Sequence, residues 1–361
     1  MEKKLKLNAI ICVSAFLAVF TALLVVASLY DLQISNALTK SSLGEGEYYS
    51  SNHFALFFEV MGDSVVYLAG GIASLVFVCS AIKLNEGDNF LFFKELKGTF
   101  YKIIKIGLIV VFSAFAVYEF YECVHDIFKY TDRYLYAELI GSGISFSLTG
   151  GYLLAVQLVL ALAFAGLIFA LFMRVKKEDL VKLLKVAVMI LIVEAMYLVL
   201  VGAIKTPVGR MRYRTMNAIN DFSYYTPWYK INGARHVGVA GDICKGDLGR
   251  EELFFGVNDT CKSFPSGHTY CAAMSFVVVC LPDLFESFKK RWIKVLCWAR
   301  PAAYTVTVAV TRIVVGAHFL SDVLIGGTLA FALIIIIREV LILKCMHFKA
   351  FKKQPEVDDV S

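Results

Sequence analysis

The sequence predicts an all-α fold, a polytopic membrane helical bundle of about eight transmembrane helices, and three observations carry that prediction. The 361-residue chain is 58% hydrophobic with a mean hydropathy of +0.68, and only 18% of it is charged, against roughly a quarter in soluble domains. Its apolar residues gather into runs close to the length of about 20 residues that a helix needs to cross a bilayer. Its basic residues fall in clusters between alternate runs. A soluble protein this apolar would expose aggregating patches, so membrane lipids are the expected surroundings. The formal net charge of +6 punctuates apolar runs rather than forming a stripe, which sets nucleic acid aside as a partner.

Taken in order, Met1-Glu2-Lys3-Lys4 leads into a first run at 8–30. That run is too long for the apolar core of a signal peptide and no clear small-residue cleavage site follows it, so a retained helix is expected. Further runs lie at 60–83, 103–121, 152–173, 183–204, 269–284, 301–316 and 322–343, the sixth and seventh being short. These divide a single membrane domain, 1–361, into a first pair (8–83), a second pair (103–173) and a last group (183–343) with a long loop at 205–268.

The clusters Lys3, Lys4 and Lys6; Lys83, Lys94, Lys97 and Lys102; Arg174, Lys176, Lys177 and Lys182; Lys289, Lys290, Arg291 and Lys294; and Lys349, Lys352 and Lys353 all fall on one side of eight spans. The positive-inside rule then makes that side, with both termini, cytoplasmic. The 205–268 loop faces the other way. Its Tyr224, Tyr225, Trp228 and Tyr229 read as an interfacial belt or re-entrant piece before they read as substrate contacts.

The nine cysteines show no CxxC and no metal-ligand spacing. Cys12, Cys79, Cys271 and Cys280 sit in apolar runs, where Cys packs as a small residue. Cys244 and Cys261 share the long loop and would be positioned to pair in an oxidising compartment. The sequon Asn258-Asp259-Thr260 carries little weight. Glu194, in the middle of the fifth run, is eleven residues from Lys205, about 16 Å along a helix, so a partner inside the bundle is expected for it. His125 and His236 are expected as solvated loop histidines.

Three polar clusters stand at the non-basic ends of the last runs. Lys205-Thr-Pro-Val-Gly-Arg-Met-Arg212 concentrates cations where the positive-inside rule would not put them. An anionic ligand or lipid headgroups would account for them, with Arg offering a planar fork to phosphate oxygens. Phe264-Pro265-Ser266-Gly267-His268 opens the sixth run, where Gly permits close backbone approach and a helix N-terminus favours an anion. Thr311-Arg312, His318 and Asp322 form the third. His318 and Asp322 are four apart and share a helical face. A carboxylate there can bond one imidazole nitrogen and leave the other nucleophilic, although an acid at the start of a span is equally a helix cap.

Together these clusters resemble the signature of the type 2 phosphatidic acid phosphatase family, Lys-x6-Arg-Pro, Pro-Ser-Gly-His and Ser-Arg-x5-His-x3-Asp. The chain reads Lys205-x6-Arg212, Pro265-Ser266-Gly267-His268 and Thr311-Arg312-x5-His318-x3-Asp322. It departs at Tyr213, where the family has Pro, and at Thr311, where it has Ser; neither change removes a nucleophile or proton carrier.

The resemblance implies a six-helix core and roles residue by residue. His318 would attack phosphorus, oriented by Asp322. His268 would protonate the leaving group and then activate water. Lys205, Arg212, Ser266, Gly267 and Arg312 would hold the phosphoryl oxygens. No cofactor and no metal are implied. Tyr30-Asp31-Leu32-Gln33-Ile34 after the first run resembles the start of bacterial members. That implies an inserted third and fourth helix, a bacterial plasma membrane and an extracytoplasmic site. The implied substrate is a phospholipid or polyprenyl phosphate. Alternatives are a small soluble phosphate, lipid phosphotransfer to another acceptor, or a catalytically idle lipid-phosphate binder.

Overall fold

The computed structural model describes residues 2–85, 98–130, 151–233 and 260–344. Every regular element among these residues is helical. α1 (Glu2–Thr39), α2 (His53–Lys83), α3 (Gly98–Tyr130) and α4 (Gly151–Met173) come first. α5 (Lys177–Met196) passes through a π-helical turn, Tyr197–Val201, into α6 (Gly202–Val208), and the short α7 (Tyr213–Ala218) follows. α8 (Gly267–Ala273) continues as a 3-10 segment, Met274–Cys280, into α9 (Leu281–Leu284). α10 (Arg291–Val314) and α11 (Leu320–Ile337) complete the bundle, α11 ending in a π turn at Arg338–Ile342.

Seven of these segments are long and apolar enough to cross a membrane, which makes the chain an integral membrane protein. The expected seventh span, α10, is not among them because it carries Arg291, Lys294, Arg300 and Arg312. It packs all the same against α2, α8 and α11.

Helices run further than hydropathy predicts. α2 begins at His53, where the Asn52 side chain caps it by accepting a 3.0 Å bond from the Ala55 N–H. α1 continues through Asp31 to Thr39, so the segment expected after the first helix is part of it. α3 reaches Tyr130, and His125 is a half-buried helical residue stacked on Tyr121 at 5.8 Å, contrary to the expected solvated loop. In α1 and α2 the polar side chains of the extra turns, Asp31 and Glu59, find protein partners, so the backbone stays helical where the sequence stops looking apolar.

α2 is central, packing on α3, α5, α8 and α10. Val66, Ala73 and Phe77 of α2 join Met189 and Val193 of α5, Tyr270 and Met274 after the Gly267 turn, and Ile334 of α11 in the main core. Gly70 makes room for two acids: a Cβ there would lie 2.6 Å from Glu194 Oε2 and 3.0 Å from Glu119 Oε2. Glu194 therefore faces Glu119 inside the bundle.

One end of the bundle is basic. Lys83 Nζ donates to the Met173 and Val175 carbonyls at 2.9 and 2.5 Å, and Lys105 Nζ to the Leu84 carbonyl at 3.1 Å. Lys182 lies over the Phe285 ring at 5.3 Å, and Arg338 bonds Asp283 at 2.7 Å. The opposite end collects the C-termini of α6 and α10 and the N-termini of α8 and α11, and with them all three polar motifs. Lys94, Lys97, Lys349, Lys352, Lys353, His236, Cys244, Asn258 and Asp259 lie outside the described residues. The Cys244–Cys261 expectation falls there too, although Cys261 itself is buried.

Candidate active site

The turn that carries His318 is built by α10 running out. Val315, Gly316, Ala317 and His318 donate back to the carbonyls of Thr311, Ile313, Arg312 and Arg312 at 2.8–3.2 Å. Gly316 makes the reversal possible with φ +67°, and a Cβ on it would press on Arg214 at 3.1 Å and Leu43 at 3.2 Å. α11 then starts with Asp322 in its first turn, accepting from the Phe319 N–H at 2.9 Å, half of a capping box.

His318 is fully buried, and its two ring partners fix its tautomer. Nδ1 lies 2.6 Å from the carbonyl oxygen of Ser263, which can only accept. Nε2 lies 3.3 Å from Arg212 Nη1, which can only donate. The proton is therefore on Nδ1 and the lone pair on Nε2. Burial, reinforced by the nearby Arg212 and Arg312 charges and opposed by Asp322, holds the imidazole well below the usual histidine pKa. A neutral, unprotonated Nε2 is what nucleophilic attack requires.

The partner expected for that ring stands at ion-pair rather than hydrogen-bond distance. Asp322 Oδ2 is 3.8 Å from Nδ1, beyond hydrogen-bond range, and the Ser263 backbone takes its place. Asp322 is instead a hub: Oδ2 accepts from Ser263 Oγ at 2.5 Å and Oδ1 from Arg210 Nη1 at 2.6 Å. Arg210, 1% exposed, also bonds Asp31 Oδ2 at 3.0 Å, Ser321 Oγ at 2.8 Å and the Thr226 carbonyl at 2.8 Å, with Phe319 stacked 4.1 Å away. It is an internal anchor, and Asp31 reaches it from α1.

His268 follows the Pro-Ser-Gly turn. Ser266 caps α8, its Oγ bonding Thr269 Oγ1 at 3.0 Å. Gly326 lets α11 close on that turn, since a Cβ there would sit 2.3 Å from the Ser266 carbonyl oxygen. A Cβ at Gly267 would lie 3.5 Å from Lys205 Nζ, so the ammonium faces the start of α8. His268 Nε2 pairs with Asp63 Oδ2 at 3.0 Å. Arg312, 1% exposed, has Glu59 Oε1 2.9 Å from its Nη1, while its Nε has no hydrogen-bond partner among the described residues. It acts electrostatically on both His268 and His318. Thr311 Oγ1 donates to the Val308 carbonyl in its own helix at 2.9 Å rather than facing outward.

The structure thus brings Lys205, Arg212, Ser266, Gly267, His268, Arg312, His318 and Asp322 to one end of the bundle. Sequence reasoning missed Glu59, Asp63, Asp31 and the Ser263 carbonyl. The belt aromatics are partly structural: Trp228 Nε1 donates to Ser28 Oγ at 3.0 Å and Tyr225 packs on Phe319, while Tyr229 stays exposed. Among the described residues no three His, Cys, Asp or Glu converge as a metal-binding group.

Residues 182–344, a little under half of the chain, match the family model of the PAP2 superfamily. That segment is a PAP2 domain. All the motif residues named above fall inside it, and the match supports a phosphatase of phosphate esters. No curated protein and no solved structure matches the chain. The PAP2 match begins within α5, so α1 and α2, with Asp31, Glu59 and Asp63, stand outside it.

Proposed function

We propose that the protein hydrolyses a lipid phosphate monoester or diphosphate through a phosphohistidine at Nε2 of His318, on the extracytoplasmic face of its membrane. The observation that carries this reading is the fixed tautomer of His318: a carbonyl acceptor at Nδ1 and an Arg donor at Nε2. Arg212 lies where a phosphoryl group must dock to meet Nε2. Arg312, with Nε unpartnered among the described residues, and Lys205 supply further positive charge for the phosphoryl oxygens as negative charge builds in the transition state.

In the first step Nε2 attacks phosphorus and the bond to the leaving oxygen breaks, that oxygen taking a proton from His268. Water, deprotonated by His268, then attacks phosphorus, and the P–N bond breaks with its electron pair returning to Nε2. The basic end of the bundle lies opposite the site, and by the positive-inside rule this supports an extracytoplasmic site with cytoplasmic termini. A bacterial plasma membrane suits the same arrangement.

An apolar groove of about 900 Å³ between α1, α8, α10 and α11 supports a lipid substrate. It starts beside the site at Thr269, Ile313 and Val323, neighbours in sequence of His268, Arg312 and Asp322, and extends along α10 to Lys294. From 294 to 313 a helix rises about 28 Å, close to the hydrocarbon thickness of a bilayer. A hydrocarbon tail would fill it.

The test is phosphate release in detergent with EDTA present, comparing long-chain phosphatidate, its short-chain analogue and glucose 6-phosphate, with and without added alcohol acceptors. The expected result is release favouring the long chain, with Ala309→Trp in the groove raising KM for that substrate alone. Preference for glucose 6-phosphate would sink the lipid assignment. Transfer to the alcohols in place of phosphate release would make the protein a phosphotransferase.

A further inference from the structure

α2 lies outside the PAP2 match, yet it delivers two carboxylates to the site from one helical face, Glu59 and Asp63 being four residues apart. Glu59 Oε1 takes the guanidinium groups of Arg312 at 2.9 Å and Arg214 at 3.2 Å. Asp63 Oδ2 takes Nε2 of His268 at 3.0 Å. Gly62, just before Asp63, lies against the His268 ring. A Cβ on Gly62 would lie 3.4 Å from both Cβ and Cδ2 of His268 and 3.1 Å from Val308 Cγ1, so α2 rests against the Nε2 edge of the ring. Asp63 Oδ1 is buried and has no hydrogen-bond partner among the described residues, while the charges of Arg312 and Lys205 act on the same carboxylate beside the His268 contact.

A carboxylate at that position only accepts, so Nε2 of His268 carries a hydrogen, and Nδ1 is the nitrogen left for proton traffic. Resting on the phosphohistidine mechanism above, we propose that Asp63 is the positioning residue that makes His268 the general acid and base of the reaction. Asp63 binds Nε2–H throughout and stabilises the imidazolium, while Nδ1 delivers and retrieves the proton. When His318 Nε2 attacks and the P–O bond breaks, Nδ1–H gives its proton to the departing oxygen and His268 becomes neutral. Asp63 keeps the neutral ring in the tautomer whose Nδ1 is a base. Nδ1 then takes a proton from the attacking water, the P–N bond breaks, and the imidazolium forms again beside the Asp63 carboxylate. A histidine without this partner would divide between two tautomers and two orientations, and only one of them works in both steps.

An ion pair that merely pins α2 to α8 would affect every substrate alike, whereas a general-acid partner matters only when the leaving group needs a proton. The experiment compares kcat on a long-chain alkyl phosphate, whose alkoxide leaves poorly, with kcat on 4-nitrophenyl phosphate, whose phenolate needs little help. Wild type, Asp63→Asn, Asp63→Glu, Gly62→Ala, His268→Ala and the double variant D63N/H268A are measured.

His268→Ala is expected to lose about 10²–10⁴-fold on the alkyl ester and far less on the nitrophenyl ester. Asp63→Asn is expected to lose at least about ten-fold with the same leaving-group dependence, Asp63→Glu to recover part of it, and the double variant to be no worse than His268→Ala. Gly62→Ala, whose Cβ would press on Val308 Cγ1 at 3.1 Å beside the His268 ring while leaving the carboxylate in place, keeps the comparison available should Asp63→Asn fail to fold, and is expected to show a smaller loss of the same kind. Equal losses on both esters in Asp63→Asn or Gly62→Ala, with His268→Ala still discriminating between them, would overturn the role of Asp63. If His268→Ala itself shows no leaving-group dependence, the general-acid step of the mechanism fails and the proposal falls with it.

Discussion

Replacing Arg210 tests whether the buried charges behind His318 behave as one unit. Arg210 is 1% exposed and lies between Asp31 at 1% and Asp322 at 0%. Arg210→Met leaves both carboxylates buried without a countercharge, and breaking a buried pair in this way costs about 3–5 kcal/mol. Asp31→Asn keeps the 2.6 Å Arg210–Asp322 pair, and its amide can still accept from Arg210. Losing the charge on that hydrogen bond costs about 1–2 kcal/mol. The two variants should therefore differ by about 2–3 kcal/mol, roughly 30–150-fold in the unfolding equilibrium.

The same logic predicts a sign for the double variant. R210M/D31N carries one stranded carboxylate where Arg210→Met carries two, so Asp31→Asn, harmful alone, should partly rescue Arg210→Met. Equilibrium unfolding in mixed micelles with increasing SDS would measure all four proteins. Arg210→Met no less stable than Asp31→Asn, or a double variant whose losses simply add, would refute the idea that Arg210 neutralises this pair.

Three further expectations rest on single contacts. Gly326→Ala puts a Cβ 2.3 Å from the Ser266 carbonyl oxygen and 3.1 Å from its carbon, backbone atoms with little freedom to yield. Overpacking of this kind costs about 1–3 kcal/mol, and phosphate release should fall at least about ten-fold; unchanged kcat would mean the α8–α11 contact does not position the site. Thr311→Val should keep release within about three-fold of wild type, because its hydroxyl bonds its own helix; a loss beyond about a hundred-fold would show that the hydroxyl turns to the substrate. The depressed pKa of His318 gives a pH expectation. The unfolded chain takes up a proton on this side chain between about 6.5 and the lower folded value, so its contribution to stability is complete above about 6.5 and declines as pH falls towards that folded value. The nucleophile stays neutral over the same window, so phosphoenzyme formation from 4-nitrophenyl phosphate should not drop between pH 7 and 6 in rapid-quench measurements. A midpoint near 6.5 that persists in His268→Ala would contradict the burial argument.

The general shape of this molecule was readable because lipid imposes a simple rule, and apolar length with basic punctuation reports it. The motif residues were readable because their spacing is tied to helix ends that must face one another. The opaque parts share a different character. Glu59 and Asp63 lie at the start of a span, where sequence alone makes an acid look like the end of the helix; only Arg312, Arg214 and His268, more than 140 residues away in the chain, explain why α2 continues through them. Asp31 was hidden in the same way, inside a helix expected to have ended. The Ser263 carbonyl leaves no sequence sign at all, since any residue could supply it, and so Asp322, the nearest acid at helical spacing, drew the role of orienting His318. Arg210 matched no motif position, yet it links Asp322 to α1 and is among the largest fully buried side chains.

The central claim is a covalent intermediate on His318, and rapid-quench labelling tests it most directly. Wild-type protein, His318→Ala and Arg212→Ala would be mixed with phosphate-labelled substrate in EDTA, stopped within milliseconds and examined for protein-bound phosphate. The account predicts an acid-labile, alkali-stable label in the wild type that maps to His318, less of it in Arg212→Ala, and none in His318→Ala. A label that persists in folded His318→Ala, or steady wild-type turnover with no label at any time point, would contradict it.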